Sequence, residues 1–428
     1  MMRLRILFFP GFVRYLLMVV FLTLVCSGSL RAEEAPANDV AARLKLLEER
    51  VKQLEAELEA LRAAQGSVAA ATPSPVAPTV TTAPAPEGAP GGPSGQLPVY
   101  GGASALAKIF NPDIGVIGNF TGAIGRNRID PFPALSLQES EVSFRAVVDP
   151  YARADFFLSF GEEGVEVEEG YLTFTSLPGA FLVKVGKMRS HFGVINTLHD
   201  HSLSWIDRPL ATENLLGGDE GIADAGLSVS RLLPAPGDIF LEATAEVFRG
   251  DSGDVFASSR RSDASVVGHL RGYKDLTEST NLDLGFSYAR GHNELGSDFL
   301  TRLFGLNATL RWKPLRRAIY HSFIARSEIT WSRREDLLGP QRSVGYFAAA
   351  DYQLGRRWFL GGRYDWSERA QNAAEHDSGG SVLLTYWPSE FSQLRGQLRR
   401  TRYTEGTTAN EFLLQLLFII GAHGAHPF

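Results

Sequence analysis

His199 and His201 sit one residue apart in a polar stretch that also holds Asp200, Asp207, Arg208, Glu213, Asp219 and Glu220. Imidazole suits Zn2+, so the pair is a candidate metal site, and Zn2+ is the only cofactor the sequence suggests. The same stretch, residues 194–222, has two other uses open to it. Its charges could touch a passing solute, or it could pack on a neighbouring wall through Leu203, Trp205 and Leu215. His423 and His426 form a second pair. On an extended strand, residues three apart face opposite ways, so joint ligation there needs a bend at Gly421 or Gly424. Asp377-Ser378-Gly379-Gly380 holds the residue types of a serine-protease motif, but no histidine pattern supports it and a turn accounts for it. Cys26 is the only cysteine, which excludes a disulfide framework and a multi-thiolate metal centre. There is no phosphate-cradling loop, and no catalytic constellation is expected.

The elements that would position these groups are strands. From about residue 99 onward no long helical periodicity occurs. Phe304, Leu306, Ala308, Leu310 and Trp312 alternate with Gly305, Asn307, Thr309 and Arg311. In 342–354, Val344, Tyr346, Ala348, Ala350, Tyr352 and Leu354 alternate with Ser343, Gly345, Asp351 and Gln353. Each pattern gives one apolar and one polar face. Counting such segments gives about sixteen strands, centred near 116, 143, 156, 172, 184, 228, 244, 270, 286, 308, 327, 348, 363, 384, 397 and 417. Tight connections alternate with longer polar ones such as 249–264, 333–342 and 368–379. Aromatic residues fall near strand ends at Trp312, Trp358, Trp366, Tyr386 and Trp387. This pattern predicts an all-β, transmembrane antiparallel barrel with aromatic girdles rather than a soluble sandwich. Its predicted inward face carries Arg145, Arg153, Arg271, Arg311, Arg326, Arg363, Arg395 and Arg399. It also carries Glu139, Glu141, Asp155, Glu169, Glu242, Glu246, Asp283, Glu328, Asp351 and Asp365.

The rest of the chain fits an exported membrane protein. Arg3 and Arg5, a long apolar run interrupted by Arg14, and Ala32 before Glu33 and Glu34 predict a signal peptide over 1–32. The alternative, a membrane anchor, lacks an uninterrupted span of sufficient length. The net charge is −6, and loss of the four arginines in 1–32 takes it to −10, which does not favour nucleic acid as a partner. Val40, Leu44, Leu47, Val51, Leu54, Leu58 and Leu61 are spaced alternately four and three apart, the seam of a short coiled coil within 33–65. An isolated amphipathic helix is the plainer alternative. Residues 66–98 are rich in Ala, Pro, Thr, Ser and Gly and predict an extended linker. The barrel is expected over 99–428. It would close on Asn410–Phe428, an apolar strand ending in Phe428 of the kind presented to the barrel-assembly machinery.

The stretch Gly186–Gly221, GKMRSHFGVINTLHDHSLSWIDRPLATENLLGGDEG, resembles the phosphate-selective porins O and P of Gram-negative bacteria. Those porins have a similar strand ending in GK, an FG step, and a loop containing Asp-Arg-Pro before a Gly-rich return. The order of coiled coil, Pro-rich linker and barrel is also similar. The terminal GAHGAHPF resembles a branch described as zinc-regulated outer-membrane receptors. The resemblance implies a pore in the outer membrane, with the coil in the periplasm. It also implies a lumen lined by arginine and lysine, whereas the inward face here is roughly balanced in charge. About sixteen strands plus coil and linker leave no residues for the plug of a larger receptor barrel.

Three functions are therefore expected as alternatives: a passive channel for small hydrophilic solutes or ions, a metal-linked uptake protein, and an envelope tether acting through the coil. For the channel, loop 194–222 would narrow the pore. The candidate pore-lining or constriction residues are Arg145, Arg311, Arg326, Arg363, Arg395, Arg399, Glu169, Asp207, Arg208, Asp219 and Glu220. The loop acids would face the wall arginines across the gap and set up a transverse field. The coil seam and the strand count together predict a homotrimer.

Overall fold

A computed structural model describes Lys52 and residues 112–421 except 162, 163 and 219. The signal peptide, the coil seam, the linker, Asp219, His423, His426 and Phe428 lie outside the described residues.

Sixteen antiparallel strands close into one barrel: β1 Asp113–Arg126, β2 Leu135–Asp149, β3 Ala152–Gly161, β4 Gly164–Phe174, β5 Phe181–Arg189, β6 Ala223–Leu233, β7 Phe240–Phe248, β8 Ser265–Thr277, β9 Thr280–Asn293, β10 Gly296–Trp312, β11 Phe323–Arg334, β12 Gln341–Gln353, β13 Trp358–Glu368, β14 His376–Ser389, β15 Ser392–Arg402 and β16 Thr408–Gly421. Each expected strand centre falls in a different one of them. Closure is made by β1 on β16, from Gly115↔Gly421 to Arg126↔Asn410. A closed ladder leaves no edge, so every strand pairs its backbone on both sides, as a bilayer demands.

Alternation explains the two surfaces. On β16, Phe412, Leu414, Leu416, Phe418 and Ile420 are exposed on the outside, while Leu413, Gln415 and Leu417 are buried within. On β9, Leu284 and Phe286 face out, and Asp283 and Ser287 are buried. Large apolar side chains thus stand exposed around the barrel while polar groups are buried in its lumen, the inverse of a soluble sandwich. The girdle aromatics touch one another: Trp358 and Tyr386 lie 4.5 Å apart, and Trp366 stacks on Tyr346 at 5.7 Å.

The connections sort by end. At one end they are mostly short, as at β2–β3 and β8–β9. The β10–β11 connection, residues 313–322, is longer than expected there. The other end carries 190–222 and 249–264, but also the two-residue β9–β10 turn, which breaks the simple short-and-long rule.

Candidate functional site: a lumen crossed by a folded-in loop

Residues 190–222, between β5 and β6, turn into the barrel. The segment holds two 3-10 turns, Ile195–Thr197 and Asp200–Ser202, and one short helix, α1, Leu210–Leu215. It is pinned to the wall on all sides. His191 Nδ1 lies 2.7 Å from Glu246 Oε1 on β7. The Gly193 N–H donates to Ser287 Oγ on β9. The Val194 and Ile195 N–H groups donate to Glu328 Oε1 on β11 at 2.6 and 2.9 Å. Gly193 has φ +68°, and a Cβ there would come within 2.6 Å of Glu328 Oε2, so only glycine lets the backbone approach that carboxyl. At the far wall, α1 lies against Gly345 of β12, where a Cβ would meet Ala211 and Leu215 at 3.0 Å.

Two apolar clusters wedge the segment in place. Phe192, Leu216 and Ile222 pack with Phe248, Val267, Ala289 and Leu303 of the wall. Ile195, Leu203 and Trp205 pack with Phe347, Ala349 and Leu383. Trp205 is fully buried, edge-on to Phe347 at 5.3 Å and under the Arg363 guanidinium at 4.9 Å. Folding inward and packing on the wall are therefore one arrangement, not alternatives.

Most of the candidate pore residues engage this segment. Asp207 is the hub. Its Oδ2 accepts from Arg363 at 2.9 Å and Arg399 at 3.1 Å, and its Oδ1 accepts from Gln397. Burial opposes the Asp207 charge, but Arg363, Arg399 and Gln397 outweigh it and hold the carboxyl below the ordinary aspartate range. Arg363 also binds Asp365, and Arg399 binds Glu411. Arg395 donates to the carbonyls of Leu203 and Trp205, and Arg326 donates to Ser204 Oγ and Asp351. Arg311 stands 3.6 Å from Asp283, and Arg145 lies over the Phe157 ring.

Two expectations change here. Asp207 meets its arginines in direct contact, so these charges do not face each other across an open gap. Arg208 turns into its own segment, pairing with Asp200 at 2.6 Å and donating to the carbonyls of Ile195 and Leu198. It braces the loop rather than lining open space. Glu220 is exposed, and its carbonyl accepts from Arg189.

Opposite the arginines stands an acidic wall. His199 enters it, with Nε2 2.8 Å from Glu169 Oε1 and Nδ1 2.9 Å from Glu141 Oε2 and 2.8 Å from Glu168 Oε2. Burial disfavours the imidazolium, yet the Glu141, Glu168 and Glu169 carboxylates around the ring hold the His199 pKa well above the ordinary imidazole value. His201 stays 3.8 Å from Glu139 and 3.7 Å from Glu141. The His199 and His201 rings lie 5.6 Å apart, and His199 is the one that enters among the carboxylates. Glu168 escapes the sequence reading because strict alternation puts it on the face opposite Glu169. The ladder slips between Phe157 and Leu158, so Phe157 faces Glu169, Leu158 faces Val167, and Glu168 is the extra residue of a bulge. The one available signal is the run Glu166, Glu168, Glu169, which breaks the alternation.

The segment divides the lumen. Toward the long-loop end lies a cavity of about 850 Å3 lined by Asp130, Glu139, Glu166, Glu168, Asp200 and Glu220, against Lys187 and Arg189. Toward the short-turn end lies one of about 560 Å3, lined by Arg311, Lys313, Arg326, Arg356 and Arg395, against Asp351. One cavity is acidic and the other basic.

No family model matches the chain. An uncharacterized protein of Aquifex aeolicus (strain VF5) is 31% identical to it over 387 residues, covering 75% of this chain and 81% of that one. The chain belongs to the family of that Aquifex protein. Among solved structures, the anion-selective porin from Comamonas acidovorans matches with a TM-score of 0.51 and 12% identity, over 72% of this chain and 98% of that chain. Pseudomonas putida OprB matches with a TM-score of 0.50 and 9% identity, over 74% and 95%. At such identities the likeness is one of fold: this chain has a sixteen-stranded barrel like those of the two porins.

Proposed function

We propose that the protein is a channel of the Gram-negative outer membrane for passive diffusion of small hydrophilic solutes and ions, narrowed by the inward segment 190–222. The observation that carries this reading is the pair of cavities on the two sides of that segment, lined by charged groups inside an apolar-skinned barrel. A solute crossing the lumen would meet first one set of charges and then the other. The long-loop end would face outward and the short-turn end the periplasm, where the coil would sit. The fold of the two porins supports the reading, as does the resemblance of Gly186–Gly221 to the phosphate-selective porins. The mixed lining supports transport of small ions generally rather than of phosphate alone.

The test is conductance in a planar bilayer. Refolded protein should give discrete single-channel steps, and folded protein inserted without steps defeats the proposal. The channel works as a homotrimer in this reading. The uninterrupted seam Val40–Leu61 supports it, because three membrane-packed barrels would raise the effective concentration of their attached helices. Mass measurement in mild detergent should give three chains. A monomer or dimer as the only species, with the coil intact, defeats the trimer.

A further inference from the structure

We propose that Glu139, Glu141, Glu168 and His199 bind one divalent transition-metal cation of the Zn2+ class, at the level where the inward segment meets the acidic wall. One ligand atom from each lies within 4.8 Å of all the others. They come from three separated parts of the chain: Glu139 and Glu141 two apart on the lumen face of β2, Glu168 from the bulge of β4, and His199 from the segment. Binding needs only this juxtaposition and stands independently of conduction.

Three observations point to a ligand rather than to a self-sufficient cluster. First, Glu139 is only 7% exposed, and its Oε1 is buried with no hydrogen-bond partner. A carboxylate oxygen left this way is costly unless a proton or a cation takes its lone pair. Second, His199 Nδ1 has carboxylate oxygens of Glu141 and Glu168 at 2.9 and 2.8 Å, yet it makes a well-directed hydrogen bond to neither. One N–H cannot serve both, whereas a cation among the three atoms would satisfy all of them. Third, the other ring nitrogen, Nε2, is held at 2.8 Å by Glu169 Oε1. With Glu169 keeping the proton on Nε2, a metal ion that displaces the Nδ1 proton would meet a lone pair aimed at the acids. This is the carboxylate–imidazole–metal relay that orients metal-bound histidines.

The donor set selects the ion class. An imidazole nitrogen with three carboxylates suits Zn2+, which takes about four ligands at roughly 2.0–2.2 Å. Ca2+ prefers about six to eight oxygens, and Mg2+ keeps its waters. Charge agrees. The three carboxylates and Glu169 have Arg189 beside them, at 3.3 Å from Glu168, and a divalent ion would offset most of the charge that remains. Access runs through the acidic cavity, whose lining includes Glu139 and Glu168.

The experiment is calorimetric titration of the refolded full chain with Zn2+ alone, in a His423→Ala/His426→Ala background that removes the terminal histidines. One Zn2+ per chain is expected, undisturbed by excess Mg2+ or Ca2+. Glu141→Gln/Glu168→Gln should weaken binding by more than about ten-fold, and Glu169→Gln, which loosens only the relay, by about ten-fold. No binding at millimolar Zn2+, or equal affinity in the double variant, overturns the site. If the double variant does not fold, Co2+ bound to the unaltered site decides instead. Visible bands of a nitrogen- and oxygen-ligated ion that vanish on adding one equivalent of Zn2+ support the site, and their absence overturns it. A channel that fails to conduct would leave the isotherm unchanged, so the two readings fail separately.

Discussion

Asp207 is where single residues decide how the lumen is built. Its carboxylate supplies the charged contact between the inward segment and β13 and β15, beside the backbone bonds from Arg395. Asp207→Ala should cost about 3 kcal/mol, the low end for a broken buried pair, because Arg363 keeps Asp365 and Arg399 keeps Glu411. The loss should appear as unsteady single-channel current rather than an unfolded barrel. Steady current identical to the wild type would show that the contact does not hold the segment. The acid limb has a defined sign. A carboxyl whose folded pKa is depressed adds stability above its unfolded value of about 3.9, and that contribution is lost as pH falls through the lower, folded value. Acid should therefore loosen the segment below about pH 4 in the wild type, and Asp207→Asn should remove that step from a conductance–pH titration.

Among the elements, the inward segment matters most, because it has little regular structure of its own. α1 is six residues long and has no side-chain cap, so its place is set by tertiary packing rather than by helix propensity. Trp205→Ala would empty a fully buried site between Phe347 and Arg363, at a cost of about 3–5 kcal/mol. The barrel ladder should survive, and the segment should detach. Limited proteolysis should then cut within 194–222 while the barrel stays resistant, and a protected segment would show that Trp205 is not its anchor. Replacing residues 198–217 by a short Gly-Ser turn should raise single-channel conductance and weaken ion discrimination. An unchanged conductance would mean that the segment does not set the width of the path.

For the whole molecule, the order of charge along the lumen is the property to test. An acidic cavity in series with a basic one enriches both ion signs at the junction under one voltage polarity and depletes them under the other. Oriented channels at low salt should therefore pass more current in one direction. The asymmetry should fade toward 1 M salt, where the screening length falls to about 3 Å. A symmetric current–voltage curve at low salt would show that the two charged cavities do not act in series.

The barrel was legible in the sequence because alternation is a local property. Phe304 to Trp312 against Gly305 to Arg311 states which face is apolar with no knowledge of what it will touch, and sixteen such patterns give sixteen strands. The inward direction of Arg363, Arg395 and Arg399 follows from the same period of two. What those arginines meet depends on a segment with no such period. Nothing local makes Asp207 reach β13 and β15, turns Arg208 back on Asp200, or sets His199 against Glu141. Those contacts join residues as far as 192 positions apart and exist only once the barrel has closed around the segment. The bulge at Glu168 shows the limit most clearly. A one-residue slip between β3 and β4 brings into the lumen a side chain that strict alternation assigns to lipid, and only pairing with a neighbouring strand fixes where such a slip occurs.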